Sequence, residues 1–205
     1  MQRGKILAVC AGMVVVLGAL VMHSSARQPP AAADTSFPGV GASVQCPPAD
    51  PKSAISPCEA ISSDRRYIAV LTFGEAGAGI LKVRATNGSW SAHAPSKDVN
   101  GIVWSAHAPT LFFTVSPIYG KPGIYMWSLP SKRPKRIFGP STRTKDYPDG
   151  ADFFELVGIS ESGARLLFLY DADVDRIDFH QFRNLDHLYS IGTDGSGFRK
   201  AKNKE

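Results

Sequence analysis

Ile61-Ser62-Ser63-Asp64-Arg65-Arg66-Tyr67-Ile68-Ala69-Val70 is matched without a gap by Trp104-Ser105-Ala106-His107-Ala108-Pro109-Thr110-Leu111-Phe112-Phe113 and by Ile159-Ser160-Glu161-Ser162-Gly163-Ala164-Arg165-Leu166-Leu167-Phe168. Each copy reads as an apolar residue, a serine, a polar turn and an apolar run. From Ala60 onward, short runs of Val, Ile, Leu, Phe, Tyr and Trp are bounded by Gly, Pro, Asn, Asp and Ser. That is the pattern of β-strands in an all-β domain. No long apolar stripe at helical spacing interrupts it.

After each copy a second strand ends in a turn: Ile80 to Ala85 before Asn87-Gly88, Ile124 to Leu129 before Pro130-Ser131, and Leu188 to Ile191 before Asp194-Gly195. Asn-Gly and Asp-Gly favour tight hairpins because their turns need positive φ. Ser62 and Ser105 are 43 residues apart, and Ser105 and Ser160 are 55 apart. The first spacing predicts a four-stranded unit of propeller-blade length, and the second predicts such a unit with an insertion between its second and third strands.

The serine-turn-strand element of the first and third copies resembles the blade signature of TolB-like periplasmic propellers. The stretch Leu188-Tyr189-Ser190-Ile191-Gly192-Thr193-Asp194-Gly195-Ser196-Gly197 resembles their blade-closing hairpin. The resemblance covers about residues 60–200. It implies an all-β fold, a partial or open, WD-repeat-like β-propeller of about three four-stranded antiparallel blades. The units are about 60–100, 101–150 and 151–200, in a domain spanning 60–205. Two departures stand out: His107-Ala108-Pro109-Thr110 replaces the family's Pro-Asp-Gly turn, and the third unit ends in Phe198-Arg199-Lys200 without the expected closing strand. Closed propellers have four to eight blades. Three units leave an open edge, which must be covered, paired or charged: by a second copy or partner, or by the N-terminal segment completing a sheet. Otherwise the chain is a truncated remnant.

Ahead of the repeats, Arg3 and Lys5 precede the uncharged, apolar stretch from Ile6 to Met22, and Ser24-Ser25-Ala26 follows. This is the form of a signal peptide over 1–26, with an uncleaved signal anchor as the alternative. It predicts a periplasmic or secreted protein. Cys10 lies too near the start of the apolar stretch for a lipoprotein box. Residues 27–59 read as a Pro/Ala-rich linker, extended or forming an N-terminal strand region. Removing 1–26 leaves Cys46 and Cys58 as a pair in an oxidising compartment, which favours a disulfide contributing about 3 kcal/mol. It also takes away two of 23 Lys and Arg and none of 18 Asp and Glu, leaving +3. That weak, scattered excess argues against a nucleic-acid partner.

Asp171, Asp173 and Asp175 alternate as the first ligands of a calcium loop would, but Arg176 stands where a Gly is needed and Phe182 where a Glu is needed. With Asp178 they read as a solvated acidic loop. The same insertion, about Asp171 to Asp186, interleaves Phe179, His180 and Phe182 with charge, and long loops between regular strands often carry recognition. The candidate binding residues are therefore Asp171, Asp173, Asp175, Asp178, Phe179, His180 and Phe182. Gly158-Ile159-Ser160-Glu161-Ser162 lacks the second glycine of a nucleophile elbow, so Ser160 is a turn residue. His93 and His107 belong to the duplicated hexapeptide at Trp90–Pro95 and Trp104–Pro109, and without a third ligand they make a poor zinc site. Asn87-Gly88-Ser89 has the form of a glycosylation acceptor, but its turn role accounts for it.

These residues predict no catalytic group, metal or cofactor. The expected function is a non-catalytic binding module outside the cytoplasm, and the TolB resemblance implies contact with an envelope protein. The expected partner is another envelope or secreted protein, or a second copy through an open sheet edge, with membrane contact only if the signal segment stays uncleaved. The alternatives are a propeller accessory to a hydrolase or lyase system, and a remnant without independent activity.

Overall fold

The computed structural model describes residues 40–46, 57–74, 79–117, 120–141, 145–146, 148–172 and 187–201. The expected signal segment, most of the linker, and Asp173, Asp175, Asp178, Phe179, His180 and Phe182 lie outside them. Among the described residues no helix is long and apolar enough to cross a membrane.

The strands are β1 (Val40–Ser43), β2 (Cys58–Ile61), β3 (Tyr67–Phe73), β4 (Gly79–Ala85), β5 (Ser91–His93), β6 (Val99–Trp104), β7 (Thr110–Val115), β8 (Gly123–Ser128), β9 (Lys135–Phe138), β10 (Phe153–Ser160), β11 (Arg165–Asp171), β12 (Leu188–Gly192) and β13 (Arg199–Lys200). They form three antiparallel sheets: β2-β3-β4-β5 (sheet 1), β6-β7-β8-β9 (sheet 2) and β1-β10-β11-β12-β13 (sheet 3). The protein is thus all-β, with a four-stranded meander for each sequence unit. The third unit does have a closing strand, contrary to expectation: Ser190 pairs with Arg199 and Tyr189 with Lys200. Basic residues on this last strand protect an edge as well as close a sheet, which is why it did not read as one.

The gapless alignment is a register. Ile61 faces Ile68, Trp104 faces Leu111 and Ile159 faces Leu166, so each unit turns over the same interval. Ser62 N donates to the Tyr67 carbonyl at 3.0 Å and Ser105 N to the Thr110 carbonyl at 2.8 Å. The Ser62 and Ser160 hydroxyls each accept from the backbone five residues on, at 3.0 and 3.2 Å. Ser105 Oγ instead accepts from His107 N at 3.2 Å, because Pro109 gives the second turn a different path. The turns also touch one another. Ser63 Oγ donates to the Ser105 carbonyl, and a Cβ on Gly163 would come within 2.9 Å of the His107 ring, so this turn, with φ +72°, requires glycine.

Because side chains alternate across a strand, sheet 2 has two apolar faces. Leu111, Phe113, Val115 and Trp127 pack with Ala69, Leu71, Leu81 and Val83 of sheet 1. Phe112 and Ile124 pack with Phe154, Leu166, Phe168 and Ile191 of sheet 3. Each of these large side chains contributes about 1.5–3 kcal/mol by leaving water. The two tryptophans of the duplicated hexapeptide are not equivalent, as their register predicts: Trp90 precedes β5, whereas Trp104 ends β6, is buried, and donates from Nε1 to the Ala60 carbonyl at 3.1 Å.

Residues 40–46 reach all three sheets. β1 pairs with β10, Val44 N donates to the Val157 carbonyl at 3.1 Å, and Gln45 N donates to the Ile102 carbonyl of β6 at 2.9 Å. Cys46 is then disulfide-bonded to Cys58 at the start of β2. Of the covers expected for an open sheet edge, the N-terminal segment supplies one.

Candidate functional site

Three connections meet at the end of the sheets away from the serine turns. Pro95, Ser96 and Lys97 come from the β5–β6 link, Pro117, Gly120 and Lys121 from the β7–β8 loop, and Asp146, Pro148, Asp149 and Gly150 from the β9–β10 link. Together with Tyr125 of β8 they line a cleft of about 730 Å³. Lys97, Lys121, Asp146 and Asp149 are exposed at its walls, while Ser96 and Tyr125 are buried.

Tyr125 is fixed twice: its ring stacks on Phe113 with centroids 5.2 Å apart, and its hydroxyl donates to the Lys121 carbonyl at 2.8 Å. Burial pushes its phenol up from the ordinary value, so at neutral pH it keeps the proton that it gives to that carbonyl. The long β9–β10 link is held by Asp152, which is fully buried. Its Oδ2 accepts from Ser141 N at 2.8 Å, Ser141 Oγ at 3.0 Å and the Tyr170 hydroxyl at 2.8 Å. These bonds close the link into a loop whose tip carries Asp146 and Asp149. Burial foremost, opposed by the Ser141 hydroxyl and reinforced by Asp152, pushes the Tyr170 phenol up to about 12.

The cleft offers ammonium and carboxylate groups on facing connections, prolines as stiff apolar edges, and a buried phenol. Such a surface suits a ligand that carries both charges and backbone amides. Among the described residues no group of three His, Cys, Asp or Glu is placed to hold a metal ion. A smaller groove, about 390 Å³, lies at the turn end between sheets 2 and 3, with Phe112 and Met126 beneath and Lys135 and Asp194 among its lining.

Of the binding residues expected from sequence, Asp171 alone is described. It ends β11 opposite Phe153, and its Oδ2 lies 3.8 Å from His187 Nδ1 across the mouth of the insertion. The insertion therefore leaves and re-enters sheet 3 at the β10-start end, where the β9–β10 link also arrives. The other six lie outside the described residues. Ser160 sits in its turn, with Ser162 Oγ 3.1 Å away. His107 lies against Gly163, while His93 pairs with Lys82 at the edge of sheet 1. Asn87 Oδ1 accepts from Ser89 N and Oγ, as a turn residue does. Sequence reading missed the cleft because its walls come from three separate connections of ordinary composition. Only the clustering of Pro, Gly and charge between strands marked them. Comparison with family models, curated proteins and solved structures found no match.

Proposed function

We propose that the chain is a non-catalytic binding module that works outside the cytoplasm. In this reading its three sheets are successive blades of a TolB-like propeller type, and its cleft receives a polypeptide segment of another envelope or secreted protein. The observation that carries it is the cleft: charges of both signs, rigid proline edges and a buried tyrosine, drawn from three connections at one end of stacked sheets. Exposed ion pairs add little affinity on their own, so the charges would set orientation and the apolar edges most of the binding. The Cys46–Cys58 disulfide supports an oxidising compartment, consistent with an export signal over 1–26.

The test is capture from envelope extract by the exported protein. Lys97→Glu with Lys121→Glu should abolish capture, and Lys132→Glu, away from the cleft, should leave it unchanged. Equal capture by all three proteins removes the cleft as the site. A version lacking 173–186 measures what the insertion adds.

A further inference from the structure

One sheet motif is built three times, so the gap between sheets 1 and 2 can be compared, position by position, with the gap between sheets 2 and 3. Shared register sets the equivalence. Ile61 faces Ile68, Trp104 faces Leu111 and Ile159 faces Leu166, which aligns Tyr67 with Thr110. Leu111 faces Trp127 and Leu166 faces Ile191, which aligns Trp127 with Ile191. Two residues on, Leu129 N donates to the Pro109 carbonyl and Thr193 N to the Ala164 carbonyl, both at 3.0 Å. In the outer strands Val83 pairs with Ala92 and Met126 with Lys135. Ala92 therefore aligns with Lys135, and Trp90, two residues earlier, with Arg133.

At the turn end the first gap is filled by rings. Trp90 of sheet 1 meets Tyr67 and, across the gap, Trp127 of sheet 2 edge to face, with centroids 6.0 and 6.3 Å apart, and Leu129 belongs to the same core. In the second gap all four positions are smaller or polar: Thr110 for Tyr67, an exposed Arg133 for Trp90, Ile191 for Trp127 and Thr193 for Leu129. The groove of about 390 Å³ opens where those rings are missing, with Thr110 and Thr193 in its walls and Phe112 and Met126 beneath. Its volume is at the small end of ligand sites, and its floor is apolar as theirs are. Two exposed charges stand at its rim. Lys135 replaces Ala92, and Asp194 is fixed through Oδ1, which accepts from Ser196 N at 2.8 Å.

We infer that this groove binds a free aromatic amino acid. The ligand's ring takes the place of the missing aromatic side chains on Phe112 and Met126, its carboxylate lies toward Lys135 and its ammonium toward Asp194. Aromatic side chains and thioether sulfur both favour contact with a ring, and an aliphatic side chain would leave part of the space empty. The groove lies at the opposite end of the sheets from the cleft, and the inference does not depend on what the cleft receives.

Isothermal titration calorimetry of the exported protein with L-tryptophan, indole and L-leucine tests it. The expected result is saturable binding of L-tryptophan, about five-fold tighter than indole, which lacks both charges, and tighter also than L-leucine, which lacks the ring. Thr110→Tyr puts into the groove the side chain that sheet 1 carries at that position. It should abolish binding while the far-UV circular dichroism stays unchanged. Lys135→Glu, on an exposed side chain, should bring L-tryptophan down to the affinity of indole, and it keeps the test decisive should Thr110→Tyr fail to fold. Lys97→Glu with Lys121→Glu, in the cleft, should change nothing. Absence of saturable L-tryptophan binding, equal affinity for indole or L-leucine, or binding that survives Thr110→Tyr or is undiminished in Lys135→Glu overturns the inference. So does binding lost with the cleft lysines.

Discussion

Asp64 turns the first unit, accepting from Ser62 Oγ at 2.7 Å and from Arg66 N and Nε at 3.1 and 2.7 Å. The Ser62 hydroxyl is the largest cause that brings its carboxyl down to about 2, opposed by desolvation and helped by Arg66. The folded value lies below the unfolded one of about 3.9. Its stabilising contribution is therefore complete above pH ~4 and lost as pH falls toward 2. Urea midpoints from pH 7 to 2 should show wild type losing its advantage over Asp64→Asn across that window, with the two converging at its acid end. Gly101 makes a second case. It has φ +78° at the register shift in β6, and a Cβ there would come within 3.2 Å of Val44 Cγ1. Gly101→Ala should cost about 1–2 kcal/mol from the left-handed backbone alone. By crowding Val44 it should also accelerate amide exchange at Val44 and Gln45 more than in β7, which native-state exchange would show.

At the scale of elements, β1 depends on a bond outside itself. A four-residue strand on one neighbour is marginal, and the disulfide holds its end against β2. Reduction, or Cys46→Ser with Cys58→Ser, should lower stability by about 3 kcal/mol. Exchange at Val44 and Gln45 should then approach solvent rates while the β7–β8 ladder stays protected. A uniform loss of protection would mean that the segment is no separate unit. The same elements show what a sequence can and cannot tell. The serine turns were legible because hairpin register is a local property: Ile61 must face Ile68 once the turn is set. β1 was legible only as a linker or strand region somewhere within 27–59, because Val40 to Ser43 has no alternation of its own and is a strand only where the leading edge of β10 offers hydrogen bonds. The cleft was illegible for a related reason: Lys97, Lys121 and Asp149 belong to three connections, and nothing in any one of them points to the others. Disulfide pairing, by contrast, followed from the two cysteines that remain once the expected signal segment is set aside.

For the molecule as a whole the question is whether three sheets unfold as one. All three tryptophans, Trp90, Trp104 and Trp127, lie in or against the core between sheets 1 and 2. None lies in the core between sheets 2 and 3. Indole fluorescence therefore reports one interface, and far-UV circular dichroism reports every sheet. Stacked repeats unfold as neighbour-coupled units, and residues 40–46 add a direct tie among all three. Phe154, fully buried and with ring centroids 5.8 Å from Phe138 and 5.3 Å from Tyr170, anchors the second core. Phe154→Ala should remove about 3–5 kcal/mol there. With the disulfide intact, the two signals should still change at one urea concentration, shifted down together. After reduction the tie is gone, and the circular dichroism change should begin at lower urea than the fluorescence change as sheet 3 leaves first. Coincident transitions in the reduced variant would show that packing through β6 and β10 couples the sheets without help from the N-terminal segment.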